Sequence, residues 1–297
     1  MIINQGNLWA AFIGFRLLYQ NGFTRAPVTF ERIAMTVPSN TKENKYPWLG
    51  LNTKFRQWVG ERIFQSLVIH DYSLKNIRYE DSIAIPRDDF EDDTIGVFTP
   101  VLEQLGWDAK CHPDILVYNL LKAGLTTPCY DGQPFFSAQH PSWDANGNAT
   151  QVANIDSGGS GPYWYLMVVD RPVKPLIFQK RKDYTFAALV KDTDPNVFER
   201  NEFRYGVDAR VNVGFGLWQM AYASNQPLDP THYGNARAAI RSYHNESGDA
   251  MDLNPSLLLV PPALEGAANT ITKADIIDAT SNVWKGTAET LCTNRLA

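Results

Sequence analysis

The chain has 297 residues, with 27 Lys plus Arg against 32 Asp plus Glu for a net charge of −5, and is 44% hydrophobic, 12% aromatic and 20% charged. That length suits one large domain or two modest ones burying roughly three quarters of the unfolded surface. The negative balance argues against tight non-specific binding to DNA or anionic lipid, and the slightly low charge content favours an oligomer, because spare apolar area can go into subunit contacts.

Taken in chain order, residues 8–20 predict an amphipathic helix. Leu8, Phe12, Phe15 and Tyr19 recur at three- and four-residue steps, Asn7 can cap the start, and Asn21-Gly22 can end it. The stretch 24–47 holds Pro27, Pro38 and Pro47 without clear periodicity and reads as an extended arm that needs neighbours to stay ordered. Residues 55–85 predict two long strands. Arg62, Phe64, Ser66 and Val68 alternate with Ile63, Gln65, Leu67 and Ile69, and Tyr72 to Ile85 is rich in β-formers until Pro86. A two-stranded ribbon is marginal alone in water and must lie on something else.

The carboxylates Asp88, Asp89, Glu91, Asp92 and Asp93 precede a helical stretch, where they suit the positive end of a helix dipole. Thr99-Pro100 can start a long helix, whose apolar stripe runs through Leu102, Leu105 and Ala109, past a kink at Pro113, to Leu116, Leu120 and Leu121, with Gly124 as its stop. A loop-rich region follows at 126–162. Strands are then expected at 163–170, 173–190 and 202–219, a helix at 229–241, a strand at 257–260, a short helix at 263–268 and a last strand near 283–293. This order, ribbon, long helix, then mixed elements without βαβ alternation, predicts the α+β class.

Signals for chemistry are few. Cys111, Cys129 and Cys292 show no CxxC spacing, which suits a reducing cytoplasm. Cys111-His112, Cys129 and His140 lack the paired spacing of a zinc site, and a buried thiol and a helix-end histidine are the better readings. The acidic run lacks the spacing and glycine of a calcium loop. Gly158-Gly159-Ser160-Gly161 has no following Lys-Ser/Thr, Gly214-Phe215-Gly216 no third glycine, and no Gly-x-Ser-x-Gly elbow occurs. Lys180-Arg181-Lys182, with Lys174 nearby, reads as a solvated or ion-paired strand face. No apolar run approaches the roughly 20 residues of a membrane span, and Leu8–Phe15 lacks the preceding basic residue of a signal peptide. No enzyme, cofactor or metal is expected. Tyr130-Asp131-Gly132 predicts a turn with positive φ at Gly132. Phe135-Phe136 are expected to pin that loop into a core, with Asp131 and His140 in turn formation and capping.

Six segments in order carry a resemblance. They are the N-terminal Met1-Ile2-Ile3-Asn4-Gln5 with its helix; Tyr46-Pro47-Trp48-Leu49-Gly50 with Trp58-Val59-Gly60-Glu61-Arg62; and Leu121-Lys122-Ala123-Gly124 leading to Cys129-Tyr130-Asp131-Gly132-Gln133-Pro134-Phe135-Phe136 and His140-Pro141. The rest are Arg204-Tyr205-Gly206-Val207-Asp208-Ala209-Arg210 running into Val213-Gly214-Phe215-Gly216-Leu217-Trp218; Leu259-Val260-Pro261-Pro262; and Trp284-Lys285-Gly286-Thr287-Ala288. Together they resemble the major head subunit family of Mu-like tailed phages. The resemblance implies the Hong Kong 97-type capsid fold: an N-terminal arm at 1–45, an E-loop hairpin at 46–87, a P-domain at 88–225 with a spine helix at 99–123, an A-domain at 226–275, and a return strand at 276–297. It implies a shell protein of the virion, assembled in the bacterial cytoplasm as hexamers and pentamers. Its expected partners are a separate scaffold protein, a portal and a decoration protein, around packaged double-stranded DNA that it meets without sequence-specific contacts, and no membrane. A non-viral nanocompartment shell of the same fold is the alternative.

Under that reading the subunit-contact candidates are Trp48 and Trp58 flanking the ribbon, the basic Lys54, Arg56, Arg62, Lys75 and Arg78, and the carboxylates Asp88, Asp89, Glu91, Asp92 and Asp93. Lys54, Lys75 and Asn76 also supply the residue types of a lysine–asparagine crosslink between subunits, but so would most charged hairpins, and no crosslink is expected. The arm helix begins by residue 8, so no long cleavable scaffold segment is expected before it.

Overall fold

The computed structural model describes residue 2 and residues 4–49, 72–92, 95–191, 193–245 and 247–297. In chain order the elements are α1 (Gln5–Arg25), α2 (Phe30–Ile33), β1 (Ala34–Pro38), β2 (Glu43–Lys45), β3 (Ser73–Lys75), β4 (Ile77–Pro86), α3 (Arg87–Glu91) and, after a 3₁₀ turn, α4 (Thr99–Ala123). Then come β5 (His140–Trp143), β6 (Ala149–Val152), β7 (Ile155–Asp156), β8 (Trp164–Met167), β9 (Leu176–Leu189), α5 (Pro195–Arg200), β10 (Glu202–Phe215) and β11 (Ala221–Ser224). The chain ends with α6 (Pro230–Arg241), β12 (Leu257–Val260), α7 (Glu265–Lys273), β13 (Ile276–Ile277), β14 (Thr280–Ser281) and β15 (Glu289–Cys292). The class is α+β.

The long helix α4 has the bounds its sequence predicts, with Pro100 in its first turn and Pro113 inside it. The first helix is longer than expected. Asn4, not Asn7, caps it, its Oδ1 accepting from the Asn7 N–H at 2.8 Å. Asn21-Gly22 does not stop it, because Gly22 serves packing instead. A Cβ on Gly22 would lie 1.8 Å from the Glu103 carbonyl oxygen of α4, and one on Gly106 would lie 2.0 Å from the Tyr19 oxygen of α1. Two bare Cα positions thus let the helix backbones touch where they cross.

The stretch 24–47 is not an arm in need of neighbours. Asp114, buried in the middle of α4, accepts from the backbone N–H groups of Thr29 (3.1 Å) and Phe30 (2.8 Å), so α4 supplies the cap that α2 lacks in its own sequence. β1 then runs parallel to β9, Ala34 opposite Leu176. Phe30, Ile33 and Ala34 are buried, so the segment owns part of the core.

The predicted second ribbon strand breaks at Asn76 into β3 and β4. β3 pairs with β2, and β4 zips antiparallel to β10 from Glu202↔Pro86 to Val211↔Ile77. What this half of the ribbon lies on is therefore β10; the other half, residues 55–70, falls outside the described residues. The sheet order is β1-β9-β10-β4. Alternate residues of β10, including Phe203, Tyr205 and Val207, face a cluster with Phe15 and Tyr19 of α1, Leu102 and Leu105 of α4, and Phe90 of α3. The second sheet has the order β15-β12-β8-β11-β7. β8, β11 and β12 are buried at every position, which explains their continuous apolar runs. Tyr233 and Ile240 of α6 and Ala268 and Ile271 of α7 belong to that larger core. The last strand, expected near 283–293, is only Glu289–Cys292.

Candidate functional site

Among the described contact candidates, Trp48 and Lys75 lie at the base of the ribbon, which is locked into the subunit. Tyr46 donates its N–H to the Tyr72 carbonyl at 3.0 Å, so the chain leaves and re-enters beside itself. Tyr46, Leu49, Leu74 and Ile177 form a small core of their own. Under it runs a buried polar chain. The Tyr46 hydroxyl donates to Gln179 Oε1 (2.6 Å), and Gln179 Nε2 donates to the Leu74 carbonyl (3.0 Å) and to Asn76 Oδ1 (2.9 Å). Asn76 Nδ2 donates to Ser39 Oγ (2.8 Å) and the Thr41 carbonyl (2.9 Å). Burial, with Tyr72 adding to it, pushes the Tyr46 phenol up to about 12, so it remains a donor. Asn76 is spent inside the subunit and is not offered to a neighbour's lysine.

Trp48 is half-buried, edge-on to Tyr46 with ring centroids 5.9 Å apart. Lys75 and Arg78 are exposed at the start of the β3–β4 stretch. The acidic run sits beyond its far end. Asp88 and Asp89 lie in the first turn of the short α3, not at the start of α4, and Asp88 is exposed and accepts from Asn201 Nδ2 at 3.1 Å. Glu91 accepts from Arg87 Nε at 3.3 Å, and Asp92 is exposed. Arg78 and Asp88 are separated by a strand length of about 25 Å at roughly 3.3 Å per residue, so these two residues do not pair within a subunit. Lys54, Arg56, Trp58, Arg62 and Asp93 lie outside the described residues. In the basic run, Lys180 pairs with Asp183 at 2.7 Å and Lys182 pairs with Asp208, which makes it an ion-paired strand face.

The loop after α4 holds a compact cluster of polar side chains. Gly132 has φ +84°, as the turn demands, and Phe135 and Phe136 are buried. Asp131 Oδ1 accepts from the Gln133 N–H at 3.0 Å and from the Cys129 thiol at 3.1 Å, while Oδ2 meets His140 Nδ1 at 2.7 Å. His140 is fully buried, stacked on Trp218 with centroids 4.1 Å apart, its Nε2 3.3 Å from the Phe135 carbonyl. Sequence spacing did not foresee this convergence of Cys129 with His140, since the bridging Asp131 was read only as a turn former. Cys111-His112 stays elsewhere. Cys111 is a buried thiol as expected, whereas His112 lies mid-helix rather than at an end, its Nδ1 2.6 Å from the Tyr184 hydroxyl.

Cys129, Asp131 and His140 bring their ligand atoms within 4.8 Å of one another, a donor set that zinc accepts. Each of those atoms is already engaged in the network. Burial, and then the Asp131 carboxylate, push the Cys129 thiol well up, so it is a protonated donor and not a nucleophile. The Asp131 carboxyl, raised by burial, is brought below the usual carboxylate range by its hydrogen bonds to His140, Cys129 and the Gln133 amide. Asp131 stands between thiol and imidazole, so the histidine cannot act as base toward the sulfur. The cluster is a buried latch that clips the loop onto Trp218.

With a long helix lying on a long-stranded sheet and a backbone similar to phage capsid subunits, the molecule belongs to the class of tailed-phage capsid proteins with the Hong Kong 97-type fold. Its backbone is similar to the subunit of the procapsid of bacteriophage JBD30, with a TM-score of 0.85 at 35% identity over 99% of this chain and 100% of that one. It is also similar to the JBD30 capsid, with a TM-score of 0.79 at 25% identity over all of both chains. The major capsid protein of Escherichia phage Mu is 37% identical over 295 residues, covering 96% of this chain and 97% of that protein. The major head subunit of the Mu-like prophage FluMu of Haemophilus influenzae is 37% identical over 90% of this chain and 89% of the relative. The family model described as Mu-like prophage major head subunit gpT matches residues 8–296, and the chain belongs to that family. It is a structural head subunit and not an enzyme, and the family match does not favour a nanocompartment shell.

Proposed function

We propose that copies of this chain, as hexamers and pentamers, close into the icosahedral shell around the double-stranded DNA of a Mu-like tailed phage, assembled in the host cytoplasm. The observation that carries this is the family match over 8–296 together with full-length similarity to a procapsid subunit. A separate scaffold protein and a portal complete the set of partners. A decoration protein joins them, since a related JBD30 capsid is described as decorated with minor capsid protein trimers. The working division is arm 1–45, E-loop 46–87, P-domain 88–225, A-domain 226–275 and return strand 276–297. The net charge of −5 suits an inner wall that does not grip DNA. Contacts between subunits join the ribbon's Lys54, Arg56, Arg62, Lys75 and Arg78 to a neighbour's Asp88–Asp93 run, with Trp48 and Trp58 as apolar anchors. Support comes from the distance between Arg78 and Asp88 inside one subunit. The purified chain should form capsomers, tubes or shells in light scattering and negative-stain images. A stable monomer at high concentration would overturn the reading.

A further inference from the structure

Helix α1 buries one face and leaves another bare. Trp9, Ile13 and Leu17 follow at four-residue steps and are 62%, 53% and 57% exposed. Residues so spaced line one face of a helix, here over about 12 Å at 1.5 Å per residue. Arg16 rises from the same face, and α1 contains no carboxylate at all. At the far turn of the β9–β10 hairpin, Phe198 is 86% exposed, and Glu199 is exposed beside it. That turn is held firmly from below. Val197 is buried, and Asn196 Nδ2 bonds the carbonyls of Leu189 (3.1 Å) and Glu202 (2.8 Å), closing the hairpin's two strands together. A large aromatic presented on a rigid turn costs little ordering when it binds, which is the character of an interface anchor. The side chains of Arg16 and Glu199 make no hydrogen bond or ion pair with any described residue.

We infer that the Phe198–Glu199 knob of one subunit docks on the Trp9–Ile13–Leu17 stripe of a second copy, with Glu199 meeting Arg16. The apolar parts match and the charges are opposite, whereas two stripes would set cation against cation. The patches differ, so the contact is heterologous and repeats from copy to copy around a closed assembly. It rests on the shell reading and uses none of the ribbon or Asp88–Asp93 residues. Because both patches are exposed in the folded subunit, changes there should leave the fold intact.

A charge-swap cycle on the full chain tests this, with assembled fraction read by sedimentation velocity and electron microscopy. Arg16→Glu and Glu199→Arg alone should each lower the assembled fraction at least tenfold, and the double variant should recover most of it. Phe198→Ser should lower assembly with circular dichroism and melting temperature unchanged. If the parent assembles and all variants assemble equally, the contact is wrong while the shell reading stands. Single losses without recovery in the double variant also overturn it. A parent that stays monomeric overturns both.

Discussion

Asp131 ties together three neighbours in the loop after α4. Its two oxygens hold Gln133, Cys129 and His140 at once. Asp131→Asn leaves buried donors without an ionised acceptor, a loss of about 2–4 kcal/mol, read as a lower midpoint in chemical denaturation at pH 7. The carboxyl's folded pKa lies below its ordinary value. Its contribution should therefore be complete above about pH 5 and fade as pH falls below the unfolded value near 4. Denaturation from pH 7 to pH 3 should show the parent converging on the variant. A gap that stays constant with pH would mean the carboxylate is not the stabilising group. The residue types of this latch were visible in the sequence, and its turn was predicted. The ring of contacts was not, because it depends on Trp218 arriving from 78 residues away to cover His140.

At the scale of elements, the crossing of α1 and α4 depends on glycine. Gly106→Leu places a side chain against the Tyr19 backbone, where even a Cβ would lie at 2.0 Å. Backbone cannot give way as a side-chain tip can, so the helices must part. We expect a loss of about 3 kcal/mol or more, measured by thermal melting, whereas Gly14→Ala, where a Cβ meets nothing within 4 Å, should be neutral or slightly stabilising. An equal effect at both sites would refute the close-approach account. The periodicity that revealed α1 could not reveal its length, since a glycine that ends a helix and one that admits a neighbour look alike in sequence. The stretch 24–47 looks like an unsupported arm in sequence for a related reason. Its helix is capped by Asp114, 84 residues from Phe30, and its strand by pairing with β9, and neither leaves a local trace.

At the scale of the whole molecule, assembly decides what the exposed charges are for. Arg56→Glu with Arg62→Glu should leave circular dichroism unchanged while sharply reducing closed shells. A single exposed pair is worth at most about 1 kcal/mol, but the proposed contact would recur at every copy. Normal assembly of that variant in ordinary salt would show the ribbon charges to be merely solvated. The arm and ribbon base are not waiting for neighbours to give them a core, since Phe30, Ile33, Tyr46 and Leu74 are already buried.

Local sequence alone determined the α+β class, the bounds of the long helix, the turn at Gly132, the buried runs of β8 and β12 and, through ordered motifs, the family. These are features that propensity, periodicity or special backbone geometry write into neighbouring residues. Only the tertiary structure decided which strand β4 joins, why Gly22 lies inside a helix, what caps α2 and how Cys129, Asp131 and His140 meet. Each of these is a contact between segments far apart in the chain, and the energy that selects it, from burial or from satisfying a buried polar group, belongs to both segments and is written in neither.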